Sequence, residues 1–165
     1  MSEQLKHDAG PDRRFDSFRF FHPVEVRYRD VDAQRHVNSA VYFTYLEQAR
    51  ANYLQHVGLW TGQDFDRIGI ILAEQTCSYF APIYYGQPIE VGVRAARIGD
   101  KSMHFEYLLR DASTQSVLAL AATVLVAYSY QQGESIAVPK SWRQKIKAFE
   151  GNTSTIMDGL ADDED

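Results

Sequence analysis

The chain has 165 residues, 45% of them apolar, which suits one domain with a sizeable core. A net charge of −5 leaves no basic face to neutralise a phosphate backbone and excludes a nucleic-acid binder, although a few arginines can still meet the phosphates of one small ligand. The single cysteine, Cys77, rules out an internal disulfide, and no run of about 18 apolar residues marks a membrane span, so the expectation is a cytoplasmic protein in a reducing compartment.

Residues 1–15 are charged, contain Gly10-Pro11 and have no apolar run that would serve as a secretory signal, so they read as a flexible N-terminal arm. The domain is placed at residues 16–150. His22 to Tyr28 alternates as a strand, with Val24, Val26 and Tyr28 on one face. A helix starts at Asn38 or Ser39, both good N-caps, and stops before Gly58. At about 19 residues it spans roughly 28 Å. Its apolar stripe is wide enough to be buried on most sides, as when a sheet wraps around it.

After a loop from Trp60 to Ile68 the period changes to two. Ile70 to Phe80 is a strand, and Ile89 to Ala95 a half-buried one whose alternation slips at Ala95-Ala96, predicting a bulge. Gly99 to Ser102 turns the chain into a strand from Met103 to Leu109, and Asp111 to Gln115 turns it again. Val117 to Tyr130 is apolar almost throughout, which predicts cover on both faces, by the helix and by a second subunit. Ser141 with Gln144 reads as a capping box opening a short helix that carries Trp142, Ile146 and Phe149. Residues 151–165 close in Asp162-Asp-Glu-Asp, an acidic flexible tail. A strand, a buried helix and four antiparallel strands in series make the fold class α+β.

Chemistry concentrates where the first strand gives way to the long helix. Asp30 and Asp32 are either turn and capping residues or a source of a catalytic carboxylate; a carboxylate a few residues before free helix N–H groups is the minimum for attack on an acyl group. His36 can polarise a carbonyl, position water or only hold the loop. Asn38 is most simply a cap. Glu47 either pairs with Arg50, three residues on, or acts on substrate from the helix. Arg94, Arg97 and Lys101 cluster near the expected bulge, as phosphate contacts or as a solvated edge. Cys77 reads as filler in a strand. No Gly-x-Ser-x-Gly elbow, dinucleotide fingerprint or phosphate loop occurs, and one histidine without a second ligand makes a metal site unexpected.

The segment from Val26 through Asp30-Val-Asp32 and His36-Val-Asn38 to Arg50 resembles the 4-hydroxybenzoyl-CoA thioesterase-like branch of the hotdog-fold acyl-CoA thioesterases, and is similar to acyl-ACP thioesterases. Tyr79-Phe-Ala-Pro-Ile-Tyr-Tyr-Gly86 and Ile136-Ala-Val-Pro139 extend the likeness. The resemblance implies an antiparallel sheet wrapped around the long helix, and a homodimer or homotetramer with sites at subunit interfaces. It makes Asp32 the catalytic carboxylate, as nucleophile or general base. The Ser39 N–H becomes the oxyanion donor, and His36 and Asn38 become positioning groups. Arg35 departs from the pattern where a glycine often precedes the histidine, Ser39 where a second asparagine is common, and Gln34 where plant acyl-ACP thioesterases place an asparagine.

The resulting expectation is hydrolysis of acyl-CoA or acyl-ACP to a free acid and a thiol. Tyr42, Glu47, Arg94 and Arg97 are the substrate-binding candidates; no cofactor is needed, coenzyme A being part of the substrate. The alternatives are a non-catalytic acyl-CoA binding or sensing module of the same fold and a hotdog enoyl-CoA hydratase.

Overall fold

A computed structural model describes residues 15–63, 68–151 and 155–156. The elements are β1 (Phe20–Val24), α1 (Ser39–His56), β2 (Ile68–Tyr79), β3 (Ile89–Ile98), β4 (Ser102–Asp111), β5 (Val117–Ser129), β6 (Glu134–Ser135), α2 (Lys140–Glu150) and β7 (Thr155–Ile156). The main sheet runs β1-β3-β4-β5-β2, all antiparallel, with β6 folded back on β5 and β7 parallel to β3 beside Arg97.

Alternation decides which side chains meet α1. Tyr53 on the helix packs edge-on against Phe20 of β1 at 5.6 Å and Phe105 of β4 at 5.5 Å, so these side chains, with Val93, Ala95 and Tyr107, belong to the inner face. Leu46, Ala49 and Tyr53 of α1 are fully buried there. This is a sheet curled around one long helix, the hotdog arrangement. On the outer face Phe18 and Phe21 lie over β3 at Gly92, where an added Cβ would come within 2.8 Å of Phe21 and 3.0 Å of Phe18; glycine permits the approach.

Three local expectations are corrected. The first strand ends at Val24, and Tyr28–Asp30 forms a 3-10 turn instead of continuing it. The Asp30 carboxylate causes this by accepting the Arg27 N–H at 3.0 Å, which curls the chain back on itself. The second helix begins at Lys140 with Pro139 as its cap, and no side chain caps it, so Ser141 is not the N-cap. Its start is set by tertiary contacts: the Arg143 guanidinium donates to the carbonyls of Gly99 and Asp100, and Val138 N–H to Asp100. Arg50 does not pair with Glu47 but turns inward to donate to the Tyr107 hydroxyl at 3.2 Å. The expected bulge is present, with the register slipping between Ala95 and Arg97. Residues 1–14 of the arm and most of the acidic tail lie outside the described residues.

Candidate active site

The loop from Arg27 to Ser39 places two aspartates in opposite settings. Asp30 is 2% exposed and its Oδ2 accepts from the Arg27 backbone, the Arg27 guanidinium and the Tyr45 hydroxyl. Burial opposes its ionisation, but the hydrogen bonds from Arg27 and Tyr45 outweigh it and hold the pKa below the ordinary carboxylate value. The Asp30 carbonyl also accepts the Asn38 N–H at 2.9 Å, so this residue builds the loop.

Between Asp30 and Asn38 the chain forms a small hairpin closed by the Val31–Val37 bridge. Asp32 and His36 face each other across it, with Asp32 N–H donating to the His36 carbonyl at 2.9 Å. The Asp32 Oδ1 accepts the Gln34 N–H at 2.8 Å, an Asx turn that orients the carboxyl group, while no described residue bonds its Oδ2. Arg35 closes the hairpin with φ 66°, a left-handed backbone otherwise natural to glycine. Val37 N–H donates to the Ile83 carbonyl and pins the hairpin to the loop after β2.

Helix α1 starts immediately beyond. Asn38 is its N-cap, its Oδ1 accepting the Ala40 N–H at 2.9 Å. The Val41 N–H returns to the Asn38 carbonyl, which leaves the Ser39 N–H with no acceptor among the described residues. The Ser39 carbonyl accepts from the Tyr79 hydroxyl at 3.1 Å, so the end of β2 is tied to the start of the helix. Burial, with Cys77 beside it, pushes the Tyr79 phenol up to about 12, so it remains the donor at neutral pH. Burial likewise raises the Cys77 thiol and argues against a thiolate nucleophile.

These groups surround a cleft of about 370 Å³ lined by Asp32, His36, Ser39, Tyr42, Tyr79 and Phe80. Tyr42 packs edge-on against Tyr79 at 4.8 Å and forms its floor. His36 packs edge-on against Tyr84 at 5.1 Å and forms its outer wall. A carboxylate with one free oxygen thus shares a cleft with an unpaired N–H at the positive end of a helix. That arrangement can set a nucleophile or base against a polarised carbonyl.

The fold therefore gathers Asp32, His36, Asn38, Ser39 and Tyr42, and leaves three candidates elsewhere. Glu47 lies on the exposed flank of α1, beside a separate cavity of about 300 Å³ that also touches Arg50, Trp60, Ile70 and Leu72. Arg94 is on the outer face, its guanidinium 2.8 Å from Glu106, and lines a cavity of about 570 Å³ between the Phe15–Phe18 segment and β5. Arg97 follows the bulge on the same face. The carboxylate of the larger outer cavity, Glu106, is ion-paired with Arg94, and among the described residues no α-helix starts there. Tyr79 and Tyr84 enter the site without having been singled out; their only signal was the Tyr79–Gly86 stretch, whose aromatics read equally well as packing. Among the described residues no three His, Cys, Asp or Glu side chains come together as a metal site.

Similar proteins share this architecture across most of their length. A thioesterase of Thermus thermophilus, solved with coenzyme A and Zn, is 32% identical, with a TM-score of 0.71 over 82% of this chain and 98% of that one. A Pseudomonas aeruginosa protein is 28% identical with a TM-score of 0.74, covering 81% of this chain and 92% of its own. A chloroplastic acyl-acyl carrier protein thioesterase of Arabidopsis thaliana is 26% identical over 78% of this chain and 69% of its own. The profile of the thioesterase-like superfamily matches residues 26–146, from just after the first strand to the second helix, and the chain belongs to that superfamily.

Proposed function

We propose that this protein hydrolyses acyl thioesters of coenzyme A or acyl carrier protein, with Asp32 as nucleophile or general base. The observation that carries the reading is the free Asp32 oxygen sharing a cleft with the unpaired Ser39 N–H. The thioester carbonyl oxygen points at that N–H and at the helix N-terminus, which stabilise its negative charge as the carbonyl carbon becomes tetrahedral. In the direct route an Asp32 oxygen bonds to the acyl carbon, the C–S bond breaks, and the thiolate leaves; water then hydrolyses the mixed anhydride. In the other route Asp32 takes a proton from water as the water oxygen attacks the acyl carbon; the tetrahedral intermediate collapses, the C–S bond breaks and the thiolate leaves, to be protonated. His36 and the Asn38 cap hold the hairpin and the helix start in register. Asp30 takes no part in this reading: it is buried, and its Oδ2 is held by Arg27 and Tyr45.

Asp32→Asn tests the reading: turnover on a panel of acyl-CoAs falls about a thousandfold while the melting temperature holds. Unchanged hydrolysis in that variant would exclude Asp32. Single turnover in heavy-oxygen water tests the direct route: label in the Asp32 carboxyl group shows that an anhydride formed and that water added to its aspartyl carbon.

The reading includes a homodimer built on β2. That strand ends the sheet path, and Ile71, Leu72, Tyr79 and Phe80 on it or just beyond are exposed in the single chain. An unpaired apolar edge is a template for another strand. Pairing about a two-fold axis must be antiparallel, which sets the Tyr79 end of one β2 beside the Ile70 end of its partner. The cavity beside Glu47 and Leu72 then faces the partner's Asp32 cleft and takes the acyl group.

A further inference from the structure

We infer that Arg35 and the exposed tyrosines beside it bind the nucleotide end of coenzyme A, the guanidinium taking a phosphate and the Tyr28–Tyr85 pair the adenine. The inference deepens the thioesterase reading by choosing between its two carriers, and rests on it for the place of the thioester.

Three observations converge. Arg35 occupies the left-handed region at φ 66°, where a side chain is strained and glycine is not. A glycine would meet the same hairpin geometry without strain, so the side chain is the reason to look for a use. That side chain is exposed, and among the described residues its guanidinium has neither salt bridge nor hydrogen-bond acceptor. Arg27, in the same segment, is by contrast engaged by Asp30.

The adjoining surface is aromatic where a loop would ordinarily be polar. His36, next to Arg35, touches Tyr84, which is followed by Tyr85; the Tyr85 ring stands perpendicular to Tyr28 at 6.0 Å. Tyr28 is 84% exposed and Tyr85 62%, so neither ring is there to fill the core. Exposed rings set at right angles offer a face for a planar base to stack on and an edge to bound it. The net charge of −5 makes an unpaired cation at the mouth of the cleft the natural landing point for an anionic ligand.

From the Asp32 hairpin the chain reaches Arg35, and the His36–Tyr84 contact brings Tyr85 and Tyr28 alongside, which suits a substrate with a phosphate and a base beyond its thioester. The thioester sits at Asp32 and Ser39, a phosphate at Arg35, and a base at Tyr28 and Tyr85. A carrier protein brings the same phosphopantetheine arm but no adenine, and would leave the tyrosine pair unused. Coenzyme A uses both.

Calorimetric titration with coenzyme A, 4′-phosphopantetheine and pantetheine separates the parts. Arg35→Gly weakens coenzyme A and phosphopantetheine about tenfold and leaves pantetheine unchanged, while its melting temperature stays level or rises. Arg35→Asn, which tolerates the same backbone, gives the same binding pattern and guards against a folding artefact. Tyr85→Ala weakens coenzyme A alone, by about tenfold. Equal loss for all three ligands, no loss in the arginine variants, or a wild type that binds coenzyme A no tighter than pantetheine overturns the inference. Hydrolysis of an acyl-pantetheine by the wild type, measured separately, tests the thioesterase reading without the nucleotide. Its failure would leave the titrations to decide the binding site alone.

Discussion

At the scale of single residues, two aspartates two positions apart would point to one face in an extended strand; their spacing offers no choice between them, and only the family resemblance singled out Asp32. The folded chain separates them because Asp30 captures the backbone N–H of Arg27 and turns inward, while Asp32 sits in a hairpin that opens on the cleft. The division of labour predicts a pH signature. The folded-state pKa of Asp30 lies below its ordinary 3.8, so its stabilisation is fully present above that value and is lost as pH falls through the lowered one. Asp30→Asn, which keeps the shape but not the charge, lowers unfolding stability by about 2 kcal/mol at pH 7. Urea titrations at pH 7 and pH 3 check this: the gap between wild type and variant narrows at pH 3, below the ordinary value of 3.8, where the unfolded chain's carboxyl group takes up its proton. A gap of the same size at both pH values would mean that the charge of Asp30 contributes nothing.

Among elements, those written in side-chain period were legible: α1 from Asn38 to Gly58, the alternation of β3 and β4, and the bulge where Ala95 and Ala96 break it. Elements fixed by contacts distant in the chain were not. Glu150 closes an amphipathic helix and reads as solvated, yet it is fully buried, accepting the Tyr53 hydroxyl at 2.6 Å and the Ala95 N–H at 2.9 Å. The bulge leaves Ala95 with a backbone donor that β4 does not satisfy, and a carboxylate 55 residues away supplies the acceptor. One residue thereby fastens α2 to both the sheet and α1. Glu150→Ala strands two buried donors and costs about 3 kcal/mol, whereas Glu150→Gln keeps an acceptor in place and costs about half as much. Equilibrium unfolding in urea reads both, and equal losses in the two variants would show that packing volume matters and the acceptor does not.

At the scale of the whole molecule, the proposed dimer sets the Asp32 cleft at one end of α1 against the partner's Glu47 cavity, so on that reading a complete site needs two copies. Sequence suggested two copies through the family resemblance and the apolar run of β5; neither pointed to the edge, which belongs to β2, whose inward side switches at the bulge between Leu72 and Glu74. The antiparallel two-fold arrangement makes a quantitative claim about complementation. Asp32→Asn removes the carboxylate, and Ala51→Trp fills the cavity beside Glu47, so each homodimer is inactive. When the two variants are unfolded together and refolded in equal amounts, half the dimers are mixed. In a mixed dimer one site combines both defects, while the other joins an intact Asp32 to an intact cavity. Activity therefore returns to about a quarter of the wild-type level. Recovery appears only after exchange of subunits, and Leu72→Glu in both chains, which places a charge at the β2 edge, abolishes it and shifts the protein to monomer in sedimentation. No recovery from a mixture shown to contain mixed dimers would place the acyl pocket and Asp32 of each site within a single chain.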